Sequence, residues 1–455
     1  NKKLTPHNNP KDYRPITLLN HFWKIYTKLV LYRMYDENLT HPLQRGWKKG
    51  KWIHDLHIIS EAVINEEENN ILLCDFSKAF DSIDHNWITH IIDHIYGGKT
   101  KKIIEQILGG ISFLNFDHKM EFPIYIKRGV RQGDVISPFL FSLGINILLT
   151  KADEDKSLGT NIYGAKLSCW AYADDTAFIF KNKKEMEKIL DYLIWFQKIT
   201  SIETNKKKFQ ILSKNYEFAN KIAKKHGFCT NNVKYLGMDY KNGSPNWKNL
   251  KERIETKARI LKPYILTLRG NDQANVINTM LGSMLTYFAR TNKLPNDLYE
   301  FWDKMVKQLT NKKIKVERLY VPKDQGGYGI LNMKEFSNSL RLGYNIYFLK
   351  LNRDDPIKKM AKNAFTVDEN QMDALLSWNS FRTNIWNDIA DTNCGLLYYF
   401  DIEKNEKVRI PNWDDIYEED KIVTQTYPKE FCVMTNDGNY RRTCDIIPTD
   451  PWNKV

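Results

Sequence analysis

Leu167-Ser-Cys-Trp-Ala-Tyr-Ala-Asp-Asp-Thr-Ala-Phe-Ile-Phe180 holds two adjacent acids between apolar runs. Leu167–Ala173 and Thr176–Phe180 read as strands of a hairpin whose tip carries Asp174 and Asp175. Like charges in apolar surroundings repel and resist ionisation, so the doublet needs a compensating cation or free solvent. An exposed Asp-Asp turn would explain the pair, but not the apolar strands on both sides.

Upstream, Ile71-Leu-Leu-Cys74 is a short apolar run that ends at Asp75, which predicts a buried strand with an acid at its exit. Between the two acidic sites lies Arg128-Gly-Val-Arg-Gln-Gly-Asp-Val-Ile-Ser-Pro-Phe139, a glycine-punctuated loop feeding a helix over Ser137 to Leu149. Gly129 and Gly133 allow close backbone approach to a ligand, and helix N-termini attract phosphate. Carboxylates on strands converging at a sheet edge suit Mg²⁺, which takes hard oxygen ligands and leaves coordination positions for substrate phosphates. Two such ions roughly 4 Å apart serve phosphoryl chemistry.

The rest of the chain divides by pattern. Phe22, Ile25, Tyr26, Leu29 and Val30 predict an amphipathic helix with that face packed. A helical stretch is expected from Asn86 to Leu108, then a hairpin of Ser112–Asn115 and Pro123–Ile126 around Asp117-His-Lys-Met. Met186, Ile189, Leu190, Leu193 and Phe196 form one helical face, and Phe209–Ser213 with Val233–Tyr240 predicts a further strand pair. From Trp247 onward the pattern is helical and basic, through Lys248, Lys251, Arg253, Lys257, Arg259 and Lys262.

At 455 residues, several subdomains are expected, and 42% hydrophobic content marks a folding sequence. The net charge of +13 is uneven: residues 366–455 hold 17 Asp/Glu against 9 Lys/Arg, so the first 365 carry +21. A basic body points to a phosphate-rich partner. No run approaches the roughly 18 apolar residues of a membrane span. The six scattered cysteines make neither a disulfide framework nor a zinc site. The chain starts without Met and runs straight into patterned sequence, so it reads as part of something longer, within an intracellular protein.

Three segments, in order and at family-like spacing, resemble the palm motifs of reverse transcriptases: Asp75-Phe-Ser-Lys-Ala-Phe-Asp81, Arg128-Gly-Val-Arg-Gln-Gly with Ser137-Pro-Phe-Leu-Phe141, and Tyr172-Ala-Asp-Asp175. Tyr13-Arg-Pro-Ile-Thr-Leu-Leu-Asn20 with Lys24, and Gln44-Arg-Gly-Trp47, resemble the non-LTR (LINE-type) retrotransposon branch. Gly326-Gly-Tyr-Gly-Ile330 through Asn338 and Leu340 resembles a segment found after the thumb in such elements. The resemblance spans roughly residues 10 to 350.

It implies an α+β right-hand polymerase with an antiparallel palm sheet and a helical thumb. Fingers would occupy 1–68 and 86–127, palm 69–85 and 128–242, thumb 243–350, with 351–455 a C-terminal acidic, aromatic region of no assigned role. It further implies an RNA-directed DNA polymerase extending a DNA primer on an RNA template with dNTPs and two Mg²⁺ ions (Mn²⁺ as a substitute), in the nucleus or a cytoplasmic ribonucleoprotein, with no membrane partner. Asp75, Asp174 and Asp175 would be catalytic and hold the metals, with the Phe76 carbonyl as an extra ligand. Phe80 sits at the steric-gate position, with plain core packing as its alternative. Gln132 and Gly133 would line the nucleotide pocket, Lys48 and Lys51 approach the triphosphate, and Lys208 within Lys206-Lys-Lys208 stands at the lysine that protonates pyrophosphate. Tyr235-Leu-Gly237 resembles the primer grip.

The alternatives are a group II intron-type enzyme with a maturase role, an RNA polymerase, and a decayed RNA-binding copy. Ser137-Pro-Phe-Leu-Phe141 speaks against the first and Phe80 against the second. The Cys/His knuckle of many such elements is absent, and no endonuclease or RNase H pattern flanks the motifs, so no strand cleavage is credited to these residues.

Overall fold

Asn70–Cys74, five consecutive buried residues, forms an inner strand of the sheet that carries the paired acids. The structure is a computed structural model that describes residues 15–116, 119–292, 294–310, 313–349, 351 and 354–365, and short strands at 398–401, 406–409, 432–434 and 440–442. Tyr13, Arg14, the Asp117-His118 loop and most of the acidic C-terminal region lie outside the described residues.

In chain order the elements begin with α1 (His21–Met34), α2 (His54–Asn65), β1 (Asn70–Cys74), α3 (Ala79–Ser82), α4 (His85–Tyr96), α5 (Gly98–Leu108), β2 (Ile111–Phe116) and β3 (Lys119–Tyr125). There follow α6 (Ser137–Glu154), β4 (Thr160–Ile162), β5 (Ala165–Leu167), β6 (Cys169–Tyr172), β7 (Asp175–Phe180), α7 (Lys183–Thr200), β8 (Gln210–Leu212) and α8 (Tyr216–His226). Then come β9 (Val233–Tyr235), β10 (Met238–Lys241), β11 (Ser244–Pro245), α9 (Trp247–Thr267), α10 (Gly270–Val276), α11 (Ser283–Ala289), α12 (Asn296–Leu309), α13 (Val316–Tyr320), α14 (Met333–Leu349) and α15 (Pro356–Phe365). The fold is α+β, as expected. None of the described helices is long and apolar enough to cross a membrane.

The chain divides into two compact units, Asn1–Leu56 with Glu67–Thr160 and Lys166–Leu236, and His57–Glu66 with Asn161–Ala165 and Gly237–Val455. In the first, an antiparallel sheet runs in the order β6-β7-β1-β8, with Asn70 opposite Phe180, Cys74 opposite Thr176 and Leu72 opposite Ile211. Helix α6 is apolar on nearly all sides and correspondingly buried, from Phe139 through Leu149. Helix α7 buries the predicted face of Met186, Ile189, Leu190, Leu193 and Phe196. Its start is fixed locally: Asn182 Oδ1 accepts from the Glu185 N–H (3.1 Å), and the Glu185 carboxylate accepts from the Lys181 N–H (2.7 Å).

Several expectations are corrected. Helix α1 is present, but Phe22, Ile25 and Leu29 face outward, at 86%, 58% and 58% exposed. Its packed side holds Trp23, Thr27, Val30, Leu31 and Met34, with Trp23 Nε1 donating to the buried Asp134 carboxylate at 2.9 Å. The helix is apolar around most of its circumference, so spacing alone does not say which side is covered. The 86–108 helix is two, broken at Gly97, whose φ of 80° suits glycine. Strand 167–173 is interrupted at Ser168, whose hydroxyl donates to Asp153 at 2.8 Å. The Ser137-Pro138 pair, which reads as an N-cap and first turn, lies one residue inside α6: the cap position is Ile136, with no side-chain cap bond. Phe209–Ser213 supplies β8, which pairs with β1 and not with 233–240; that stretch is divided by a turn at Leu236-Gly237, and the Gln210 side-chain amide, not a backbone ladder, joins β8 to Lys234.

In the second unit, α9 buries Leu250, Ile254, Ala258 and Ile265, and turns Lys248, Arg253 and Arg259 to solvent. The Gly326–Ile330 segment lies along residues 319–321, with Gly329 and Ile330 N–H groups donating to Val321 and Leu319 carbonyls. A Cβ on Gly327 would sit 2.0 Å from the Val321 oxygen, so that glycine is sterically required. His57 is buried between the Tyr240 and Tyr287 hydroxyls, at 3.1 and 2.8 Å.

Candidate active site

Strand register brings the acids together. The β1–β7 pairing ends at Cys74 opposite Thr176, and one further step sets Asp75 opposite Asp175. Tyr172 pairs with Asp175, so Ala173 and Asp174 form a two-residue hairpin turn. Asp75 and Asp175 line one cleft of about 330 Å³, with Lys207, Lys208, Tyr235 and Leu236 also on its wall. Asp174 is half-buried in the turn itself and is not among the lining residues.

Lys208 Nζ lies 3.2 Å from Asp75 Oδ2. The angle is not that of a hydrogen bond, and this buried oxygen has no hydrogen-bond donor. A buried carboxylate oxygen without a donor is costly unless a cation faces it. Lys208 is 65% exposed and free to swing away, so its ammonium is a loose partner. Lys207 joins it on the cleft wall and Lys206 does not, and of the three it is Lys208 that lies against Asp75.

The donor set fits a hard divalent cation in a limited sense. Among the described residues no three His, Cys, Asp or Glu side chains stand close enough to hold a metal by themselves. Mg²⁺ is ordinarily held by one or two carboxylates, with phosphates and water completing the shell, and Asp75 with Asp175 offers that number. Around Phe76, Asn205 N–H donates to the Asp75 carbonyl and Ser77 N–H to the Glu203 carbonyl, both at 2.8 Å, so neither bond takes the Phe76 carbonyl. The Phe76 ring is buried against Phe196, at 5.9 Å between centroids.

Phe80 stacks one face on Phe141, with centroids 4.3 Å apart and planes at 16°, and remains half-buried. Gln132 donates from Nε2 to the Asp81 carboxylate at 2.9 Å. The two loop glycines do admit close approach, but of the chain's own backbone. A Cβ on Gly129 would lie 2.6 Å from the Asp81 carbonyl, and one on Gly133 2.8 Å from the Thr17 oxygen. Both have positive φ, 80° and 108°. Arg131 is likewise structural: its guanidinium donates to the Ile107 and Gly109 carbonyls and lies 5.7 Å from the Trp23 ring centre.

Neither Lys48 nor Lys51 lines the cleft. Lys48 Nζ donates to the Thr40 and His41 carbonyls at 3.1 and 3.0 Å, and Lys51 is half-buried beside it in the chain. Tyr235 is buried, and its hydroxyl accepts from Trp170 Nε1 at 2.9 Å, tying β9 to β6. Leu236 and Gly237 follow with φ of 43° and 84°, consecutive left-handed residues of a tight turn. The Gln210 amide brackets Lys234, accepting from its N–H (2.8 Å) and donating to its carbonyl (3.2 Å).

Sequence reasoning missed three participants. Thr176 and Cys229 line the cleft, and Gln44 reaches the Ala173 turn through its side-chain amide. Gln44 carried a signal in the Gln44-Arg-Gly-Trp47 motif, but nothing in the spacing tells what it touches.

The profile of the reverse transcriptase (RNA-dependent DNA polymerase) family matches residues 2–240. The chain is 26% identical over 210 residues to the Retrovirus-related Pol polyprotein from type-1 retrotransposable element R2 of Popillia japonica, covering 44% of this chain and 29% of the relative. It is 23% identical over 360 residues to the corresponding polyprotein from type-2 element R2DM of Drosophila melanogaster, covering 73% and 34%. The chain thus spans about a third of the length of these curated relatives. Among solved structures, telomerase from Candida albicans in complex with the TWJ fragment of telomeric RNA aligns over 79% of this chain and 56% of that one, at 9% identity and a TM-score of 0.36.

Proposed function

This chain belongs to the reverse transcriptase family, and from that premise we propose that it is the polymerase part of a non-LTR retrotransposon protein, extending a DNA primer on an RNA template with dNTPs. The observation that carries the reading is the Asp75–Asp175 pair across β1 and β7, in a cleft where one Asp75 oxygen lacks a donor and Lys208 stands beside it. Asp75, Asp174, Asp175 and the Phe76 carbonyl would hold two Mg²⁺ ions. Bound there, such cations lower the pKa of an attacking hydroxyl and neutralise charge on a leaving pyrophosphate.

The remaining roles belong to the chain. Lys208 would move from Asp75 to the pyrophosphate and give it a proton, a short displacement for an exposed side chain. Phe80, held by Phe141, would present its ring where a ribose 2′-hydroxyl must fit, so that dNTPs are favoured. Gln132 and Gly133 would border the template–nucleotide pocket, Lys48 and Lys51 would approach the triphosphate, and Tyr235–Gly237 would steady the primer end. Fingers would occupy 1–68 and 86–127, palm 69–85 and 128–242 and thumb 243–350, on the right-hand plan of the family. The outward cations of α9 would contact phosphates of the template–primer.

The test is primer extension on an RNA template with Mg²⁺, dNTPs against rNTPs. Wild-type protein is expected to incorporate dNTPs, and Asp174→Asn to abolish synthesis while binding RNA as before. Well-folded wild-type protein that adds no dNTP would refute the assignment.

A further inference from the structure

The hairpin turn at Ala173-Asp174 is held from a distant part of the chain. Gln44 is fully buried, so its amide must find partners inside the protein. It does so on this turn: Oε1 accepts from the Ala173 N–H (2.9 Å) and the Gly46 N–H (3.0 Å), and Nε2 donates to the Ala173 carbonyl (3.1 Å). One side chain therefore takes both main-chain polar groups of Ala173, as a neighbouring strand would. Backbone bonds lead up to it, from Ala171 N–H to the Leu43 carbonyl (3.1 Å) and from Arg45 N–H to the Ala171 carbonyl (2.8 Å). Gly46 is pressed on the same residue, since a Cβ there would lie 2.3 Å from the Ala173 nitrogen.

Ala173 needs holding. Its φ is 55°, at the first position of a two-residue hairpin turn, where glycine is the usual residue because a Cβ is disfavoured. The residues that follow it immediately are Asp174 and Asp175, so the dihedrals of Ala173 set where both carboxylates leave the sheet edge.

We propose that Gln44 is a positioning residue for the polymerase site, fixing the left-handed Ala173 turn and through it the placement of Asp174 and Asp175. This rests on the catalytic reading of those acids. It gives the Gln44-Arg-Gly segment a role that motif resemblance does not supply: it clamps the turn and contacts neither nucleotide nor metal.

The experiment is a set of variants in the full chain: Gln44→Met, which keeps side-chain length and removes all three bonds, Ala173→Gly, and the pair combined. Gln44→Met is expected to lower kcat for primer extension about 10-fold to 100-fold, the cost of a sub-ångström to ångström misplacement, with KM for dNTP changed no more than about threefold. Mn²⁺ affinity, read from the free-ion EPR signal, should weaken severalfold, and the thermal midpoint should fall. Glycine adopts a φ of 55° without help, so adding Ala173→Gly to Gln44→Met should recover most of the lost midpoint and Mn²⁺ affinity. A Gln44 needed only to fill space would show no such rescue.

If the two substitutions simply add, or if Gln44→Met leaves kcat and Mn²⁺ affinity unchanged, the assignment is overturned. Should Gln44→Met fail to fold, the pair decides: a folded Gln44→Met/Ala173→Gly chain supports the clamp, and a pair as unfolded as Gln44→Met overturns it. The two readings fail separately. Absence of primer extension by wild-type protein refutes the catalytic roles, whereas absence of midpoint rescue refutes the role of Gln44.

Discussion

Tyr235→Phe removes one oxygen atom and tests whether β9 is fastened to the catalytic hairpin as the structure indicates. Trp170 is completely buried in β6, and its indole N–H donates to the Tyr235 hydroxyl at 2.9 Å. Deleting the acceptor leaves a buried donor unmatched, which costs about 1–3 kcal/mol, more than the roughly 1 kcal/mol net value of an ordinary hydrogen bond. For a unit of this size the expected loss corresponds to a fall of about 2–10 °C in the thermal midpoint. Differential scanning calorimetry of wild type, Tyr235→Phe, Trp170→Phe and the double variant gives the measurement. The double variant should be less destabilised than the two singles added together, because the cost of leaving the Trp170 donor unmatched disappears with the donor. Additive losses, or a Tyr235→Phe midpoint equal to wild type, would show that the bond carries no stability.

Two further outcomes test other parts of the site. Phe80→Ala should raise rNTP incorporation relative to dNTP by at least about tenfold if the proposed gate role holds, since the ring is then gone; unchanged discrimination would leave Phe80 as packing on Phe141 alone. Asp153 concerns pH: burial pushes its carboxyl up, but the His41 imidazole 3.6 Å away and the hydrogen bond from the Ser168 hydroxyl outweigh this and hold it below the usual carboxylate value. A depressed folded-state pKa contributes stability above the unfolded value, and that contribution is lost as pH falls through the folded one. Acid unfolding of wild type should therefore steepen below about pH 4, and Asp153→Asn should flatten that limb. An unaltered acid limb in Asp153→Asn would remove Asp153 from the account.

The strands were legible because each is a short apolar run that ends on a charge, and a buried strand can hardly be written otherwise. Ile71–Cys74 and Thr176–Phe180 were readable as strands, and the sheet pairs them so that their terminal acids meet. Helix α7 was legible for the complementary reason, since its outward positions are polar and leave one side to bury. Helix α1 failed that test. With apolar residues on both sides, Phe22, Ile25 and Leu29 compose as good a face as Trp23, Val30 and Met34, and only the tertiary bond from Trp23 to Asp134 settles the rotation.

The site divides along the same line. Residues proposed to act through their own chemistry, such as Asp75 and Lys208, announce themselves by type and place, and the structure sets them 3.2 Å apart. Residues that act by holding backbone do not. Gly129 and Gly133 were legible as points of close approach, yet what approaches is the chain's own backbone, at Asp81 and Thr17. Gln44 is the extreme case: a glutamine in a loop has no periodicity, and its partner is 129 residues away. A tight turn with alanine where glycine is favoured is, however, a local anomaly that sequence does display. An anomaly of that kind beside two acids implies a clamp somewhere in the chain, since unsupported strain at such a turn would let the carboxylates wander. The identity of the clamp is what the fold alone supplies.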